Sequence, residues 1–237
     1  MASRNASFHE GVFAGALLAP LKLGFVLILG LMGILVLAWI VDWVLVFKVW
    51  PEGVSRLKGI LAADLARGIE LAESQGGVPN AVTGTANFLY GLVFGVTGIH
   101  DLGLRFAQGA ALSIPDTIVR NSYLANREAI EVAMIGTQLL GVRLATLGMM
   151  APLLALVYVV AAADGLTQRA VRRACGGRES ASLYHRAKHL QVMLVAMGGV
   201  LTLIQPVSID PRWIWIPGAL LVGLLARLQW ACYKKHL

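Results

Sequence analysis

The chain has 237 residues and a formal net charge of +7, yet 57% of its residues are hydrophobic and only 14% are charged, with a mean hydropathy of +0.72. A soluble domain carries about 45–50% apolar and about 25% charged residues, so a soluble core of this size is excluded as the place for so much apolar surface, and lipid must solvate the rest. Backbone inside hydrocarbon has to pair its own N–H and C=O groups, which makes long apolar runs helical, and continuous runs exclude the short alternating segments of an outer-membrane barrel.

The expected fold is all-α: a polytopic helical membrane protein with four transmembrane helices and a re-entrant or fifth helix at 81–99. Residues 1–50 hold an N-terminal tail and the first membrane helix. Its uncharged core, Leu23 to Val41, lies between Lys22 and Asp42 and is followed by Trp43, Phe47 and Trp50, aromatics of the kind that favour the membrane edge. The run is too long for the apolar region of a signal peptide and lacks a small-residue cleavage site, so it reads as a retained anchor.

Residues 51–130 read as a long extracytoplasmic helical segment. Val54, Leu57, Leu61, Leu65 and Ile69 recur at helical spacing among Arg56, Lys58, Asp64 and Arg67, predicting an amphipathic helix. Gln75 to Asn80 is a break. Ala81 to Ile99 has no charge, and Gly84, Gly91, Gly95 and Gly98 form a small-residue stripe of the sort that lets helices pack closely in lipid. Its threonines and Asn87 make it less apolar than the clear spans, so it is expected to be partly embedded or re-entrant. Full crossing is the alternative, and would move the N-terminus outside, against Arg4 and Lys22. A further helix is expected to start at Ser113–Asp116 and to run through Glu131 into the next span.

The second membrane helix occupies 131–163, with the uncharged run Leu144 to Ala163 between Arg143 and Asp164 and a Pro152 that predicts a kink. Residues 164–191 form a basic hairpin: a short basic helix leaving the membrane, a Gly176-Gly177 stop, and a second helix leading back. Residues 192–237 hold a membrane helical hairpin, Val192 to Val207 and Trp213 to Ala231, joined through Ile209-Asp210-Pro211-Arg212, with Lys234 and Lys235 in the tail. Short basic loops stay cytoplasmic. This sets the 164–191 hairpin and both termini in the cytoplasm, as a multi-pass protein of the bacterial inner membrane. Asp42, Arg143, Asp164 and Arg227 fall at the ends of spans, where interfacial anchoring accounts for them.

Catalytic chemistry has little support in this sequence. His185 and His189 share a helical face, as two metal ligands would, but no third ligand has a recognised spacing, and a solvated interfacial pair is the simpler reading. His100-Asp101 lacks an accompanying nucleophile pattern, and GxSxG, P-loop and GxGxxG signatures are absent. Cys175 and Cys232 lie on the expected cytoplasmic side, where disulfides are not formed. The basic 164–191 loop carries no nucleic-acid-binding motif; its charge is the orientation signal and an attraction to anionic lipid. The expectation is therefore a protein that is not an enzyme and takes no cofactor or metal. Two rivals stand beside it. One is a small transporter or channel subunit using Gln138, Thr146, Thr202 and Gln205. The other is a membrane-embedded enzyme built on the histidine pair.

The segment with most character runs from Asp164-Gly165 through Gln168-Arg169, Arg172-Arg173 and Gly176-Gly177-Arg178-Glu179-Ser180 to Tyr184-His185-Arg186-Ala187-Lys188. This pattern between two spans resembles the uncharacterised inner-membrane proteins of integrating conjugative elements and some conjugative plasmids. The resemblance implies an inner-membrane place among conjugative-transfer genes, near type IV secretion components and the coupling ATPase, and carries no catalytic residues. Arg169, Arg172, Arg173, Arg178, Glu179, Arg186 and Lys188 are then the candidate surface for docking a protein partner such as that ATPase, while the glycine stripe packs against other membrane subunits.

Overall fold

The computed structural model describes residues 2–107, 114–175 and 181–233. Among them it is all helical: α1 (Ala2–Val44) with a closing π-turn (Leu45–Val49), α2 (Val54–Ser74), α3 (Asn80–Tyr90) with a second π-turn (Gly91–Gly95), α4 (Ile99–Ala107), α5 (Ile114–Ala125), α6 (Arg127–Ala174), α7 (Ala181–Ile204) and α8 (Pro211–Ala231). Four helical stretches are long and apolar enough to cross a membrane: Gly24–Val49, Arg127–Ala174, Ser182–Ile204 and Pro211–Ala231. The four expected spans are these.

The spine is α6. Its 48 residues make a rod about 72 Å long, far beyond the uncharged run at its centre, and Pro152 is accommodated inside it. The expected unbroken passage from Ser113 into this helix fails at one residue. Asn126 leaves helical geometry at φ −109° and ψ 14°, ending α5 and starting α6. Likewise, the basic stretch after Asp164 is no separate short helix; it is the last turns of α6.

Two sets of helices clothe the two halves of this rod. At the upper end, where α6 begins, Val46 of the π-turn and Leu57 and Ile60 of α2 close on Val132, Ile135 and Leu139 of α6. α2 descends from there and α3 returns, packing Val82 and Ala86 against Val142. At the lower end α8 lies along α6, so close that a Cβ on Gly165 would sit 2.6 Å from the Arg227 carbonyl oxygen, and α7 packs on α8. α1 runs antiparallel to α6, meeting it at Leu35 with Leu140 and Leu203.

A belt free of charge crosses the lower half. It is bounded above by Arg143 and Arg212 and below by Asp164 and Arg227, and contains Leu144–Ala163 of α6 with the middles of α7 and α8. Twenty helical residues rise about 30 Å, the thickness of a hydrocarbon core. Its surface is lipid-like, with Leu156, Val160, Val192, Met193, Leu220 and Leu224 all exposed.

The segment 81–99 is a broken element. Asn80–Gly95 and Ile99–Phe106 are bent by 77°, with Gly98 at φ 73°, a backbone that a side chain would strain. This geometry suits a broken span or a re-entrant turn. The face of α3 that packs inside the chain is Val82, Ala86 and Leu89.

Candidate functional site

Interfacial anchoring does not describe Arg143 or Asp42. Arg143 stands at the end of an uncharged run, as its place in the sequence indicates, but it points into the bundle with only 4% of its surface exposed, and Asp64 opposite it has 6%. Their ion pair is 2.8 Å long and joins α6 to α2 across 79 positions of sequence. Asp42 is also buried, against Trp39 and Gly136; a Cβ at Gly136 would fall 2.5 Å from the Asp42 carboxylate. Asp164 and Arg227, by contrast, pair with each other at 2.5 Å and remain about half exposed, as edge residues do.

The Arg143–Asp64 pair is the centre of a clasp. Asp64 accepts a second hydrogen bond from the Ser208 hydroxyl, which in turn accepts from Arg67 at 2.6 Å. Arg143 Nη1 donates to the carbonyl oxygens of Leu203 (3.3 Å) and Gln205 (2.7 Å). Those carbonyls close the C-terminus of α7, where a helix leaves its last acceptors unpaired and presents the negative end of its dipole. One guanidinium therefore neutralises a buried carboxylate and caps a helix. Its Nη2 is buried without a partner among the described residues. It borders a cavity of about 10 Å³, lined also by Thr146 and Thr202, with room for a single water. On the outer side Arg212 continues the junction, reaching Glu70 at 3.6 Å and the Ser74 hydroxyl at 3.3 Å. Asp210 caps α8 by accepting from the Arg212 backbone N–H at 2.9 Å.

Two of the four polar side chains considered for a transport path, Thr146 and Thr202, bond within their own helices. Thr146 donates to the Arg143 carbonyl at 2.9 Å and Thr202 to the Gly198 carbonyl at 2.7 Å, while Gln205 lends its backbone oxygen to Arg143. What these groups build is a rigid joint between α2, α6 and the α7–α8 turn, with space for a water between them.

The basic end has a different character. α6 carries Arg169, Arg172 and Arg173 out of the belt, and α7 carries Arg186 and Lys188 back towards it. Tyr233, just past α8, ties the two arms together: Arg169 lies 5.2 Å over its ring, and the rings of Tyr184 and Trp230 pack against it at a tilt, 5.6 and 5.7 Å away. Arg172 reaches the buried Cys232 sulfur at 3.8 Å. Arg169 and Arg172 thus serve the packing of this end, whereas Arg173, Arg186 and Lys188 are exposed. Arg178 and Glu179 lie outside the described residues, as do Gly176 and Gly177. His185 and His189 are both exposed on α7, and among the described residues no three His, Cys, Asp or Glu side chains converge as a metal site would need. His100 instead shares a 2.7 Å hydrogen bond with the Tyr90 hydroxyl across the bend.

The glycine stripe faces away from the rest of the chain. Around Gly84, Gly91, Gly95 and Gly98 a Cβ would meet nothing within 4 Å. Close helix approach is made at other glycines, notably Gly141 against the backbone of Ala86 and Gly223 against Val157.

Residues 60–234 match the model of a family described as DtrJ-like, the IncC plasmid conjugative DNA transfer protein DtrJ-like family. No curated protein and no solved structure matches the chain.

Proposed function

The chain belongs to the DtrJ-like family of conjugative DNA transfer proteins, and from that premise we propose that it works as an inner-membrane structural component of the transfer apparatus, through protein–protein contact. The basic end faces the cytoplasm in this reading, as short Arg- and Lys-rich loops do, and the α2–α5 half projects outward. The observation that carries the proposal is the contrast between the two ends of α6. The buried polar groups at the clasp bind one another and the end of α7, with room for a single water beside Arg143, while Arg173, Arg186 and Lys188 stand exposed beside a packed aromatic joint. A rigid rod with a fixed basic tip suits docking of an acidic cytoplasmic or membrane partner, the coupling ATPase being the candidate that resemblance to conjugative systems supplies.

An in-frame deletion in the donor should lower conjugation frequency by orders of magnitude, with recovery when the gene is restored in trans. Unchanged transfer would remove the apparatus role. Within a complementing copy, the neutral series Arg173→Gln, Arg178→Gln, Arg186→Gln and Lys188→Gln should reduce co-purification of the partner and transfer together, while membrane insertion stays intact. If the partner is retained in full, the basic tip is not its docking surface.

A further inference from the structure

Within the charge-free belt, α6 and α8 touch along a narrow line. A Cβ on Gly223 would stand 2.8 Å from the Val157 Cγ1 and 3.9 Å from the Ala161 Cβ. Larger side chains rise on either side of that line. Leu156 and Val160 stand one turn apart on α6, and Leu220 and Leu224 one turn apart on α8, the spacing that stacks side chains on one helical face. Between these two walls runs an open groove of about 640 Å³, floored by Val157, Ala161 and Gly223. Its four wall residues all lie exposed, from 57% at Leu224 to 64% at Leu220.

At its lower end the groove stops at two opposite charges. Asp164 continues the α6 wall one turn beyond Val160, Arg227 continues the α8 wall beyond Leu224, and both line the groove. Their 2.5 Å ion pair bridges the walls and leaves the two side chains 49% and 47% exposed. Neither group is saturated by the other. A guanidinium carries five N–H donors and a carboxylate about four acceptor positions. The pair uses Arg227 Nε and Asp164 Oδ2, and the Gln168 amide oxygen, one turn further along α6, takes up Nε and Nη2 of the same guanidinium. Arg227 Nη1 and Asp164 Oδ1 lie outside these contacts.

The groove therefore sets two requirements on an occupant. From Leu156 to Asp164 is eight residues, or about 12 Å, close to one leaflet's share of a hydrocarbon core about 30 Å thick; over that length the occupant must be apolar. At the boundary it must offer an anion to Arg227 and a hydrogen-bonding cation to Asp164. We propose that the groove holds an acyl chain of an aminophospholipid, with the headgroup phosphate on Arg227 and the primary ammonium on Asp164. A headgroup with phosphate alone sets an anion beside the carboxylate, and a quaternary ammonium has no N–H to donate to it. Arginines further down α6 attract any anionic lipid to this end of the bundle; the carboxylate makes this site select an amine. The site stands independently of any role in conjugation.

The test is native mass spectrometry of the full chain, reconstituted in bilayers of phosphatidylethanolamine, phosphatidylcholine and phosphatidylglycerol in equal parts and re-extracted in mild detergent. The 25.3 kDa chain should retain phosphatidylethanolamine in preference to the other two. Asp164→Asn should lower that preference about fivefold, the upper range for an exposed charge pair. Val160→Phe narrows the groove from its exposed wall and should lower retention of all three lipids. Val192→Phe, as exposed on α7 and outside the groove, should change nothing. Retention indifferent to the headgroup, a preference for phosphatidylglycerol, or equal effects of Val160→Phe and Val192→Phe would overturn the proposal.

Discussion

Replacing Arg143 by Met should destabilise the fold by about 3–5 kcal/mol, the cost of leaving a buried carboxylate without its counter-charge. The loss has two parts. Asp64, 6% exposed, keeps only the Ser208 hydroxyl as a donor, and the carbonyls of Leu203 and Gln205 lose the guanidinium that closes α7. Asp64→Asn should cost less, because the amide oxygen still accepts from Arg143 and the arginine retains the helix-end carbonyls, with the Ser208 bond lost to the amide nitrogen. The double variant Asp64→Leu, Arg143→Met is the discriminating case. An apolar pair of similar volume often replaces a buried ion pair at little cost, so the double variant should recover most of the stability lost by Arg143→Met. Unfolding in detergent micelles, with wild type, Asp64→Leu, Arg143→Met and the double variant compared at one detergent concentration, reads the coupling directly. Additive losses would mean that the two side chains act separately and that the clasp does not join α2 to the membrane hairpin.

That junction shows where the sequence was legible and where it was not. The four spans could be read because, in a chain this apolar, an uncharged run of about 20 residues between charges matches the length a helix needs to cross hydrocarbon. Hydropathy, however, marks only what must avoid water. Helix on both flanks of the second span was legible, through Glu131 before it and over the basic stretch after Asp164, but nothing in hydropathy shows that these pieces form one helix or that it starts only at Arg127. The amphipathic helix at 54–74 was also legible, but its buried face is rotated. Leu57, Ile60, Asp64, Gly68 and Leu71 point inward, while Leu61 and Leu65 are only partly buried. Asp64 is a charge at the 3–4 residue spacing of an apolar face, and that was the one available hint that it had a buried partner. Nothing local names Arg143, 79 residues later, as that partner.

The aromatic joint at the basic end was missed for a similar reason. Tyr184, Trp230 and Tyr233 come from two separate stretches of chain, and a single sequence records no pairing between them. Arg169, Arg172, Arg173, Arg186 and Lys188 lie at one end of the bundle, but their division into packed and exposed members depends on which side of α6 meets α8. Tyr233 decides it by placing itself under Arg169.

Gly141 gives the second large effect and shows the limit of reading glycine patterns. A methyl group there would stand 2.6 Å from the Ala86 Cα and 3.1 Å from both the Ala86 nitrogen and the Thr85 carbonyl oxygen. These are backbone atoms of α3, which cannot swing aside as a side chain would. Gly141→Ala should therefore force α3 away from α6 and cost about 1–3 kcal/mol, despite the better helix propensity of alanine. Gly84→Ala is the counterpart. Open space surrounds it, so the purified chain should be unchanged or more stable, by up to about 1 kcal/mol. The GxxxG spacing drew attention to α3, whereas the tight approach to α3 is made by a solitary glycine on α6, because close packing needs a small residue at the crossing point and no repeat at all. The stripe remains available to a different chain. If Gly84→Ala or Gly91→Ala leaves the unfolding transition of the monomer in place but weakens its assembly in membranes, the stripe is an intermolecular face. If neither property changes, those glycines are not packing residues, and the helix contacts of this protein are the ones made by Gly141, Gly165 and Gly223.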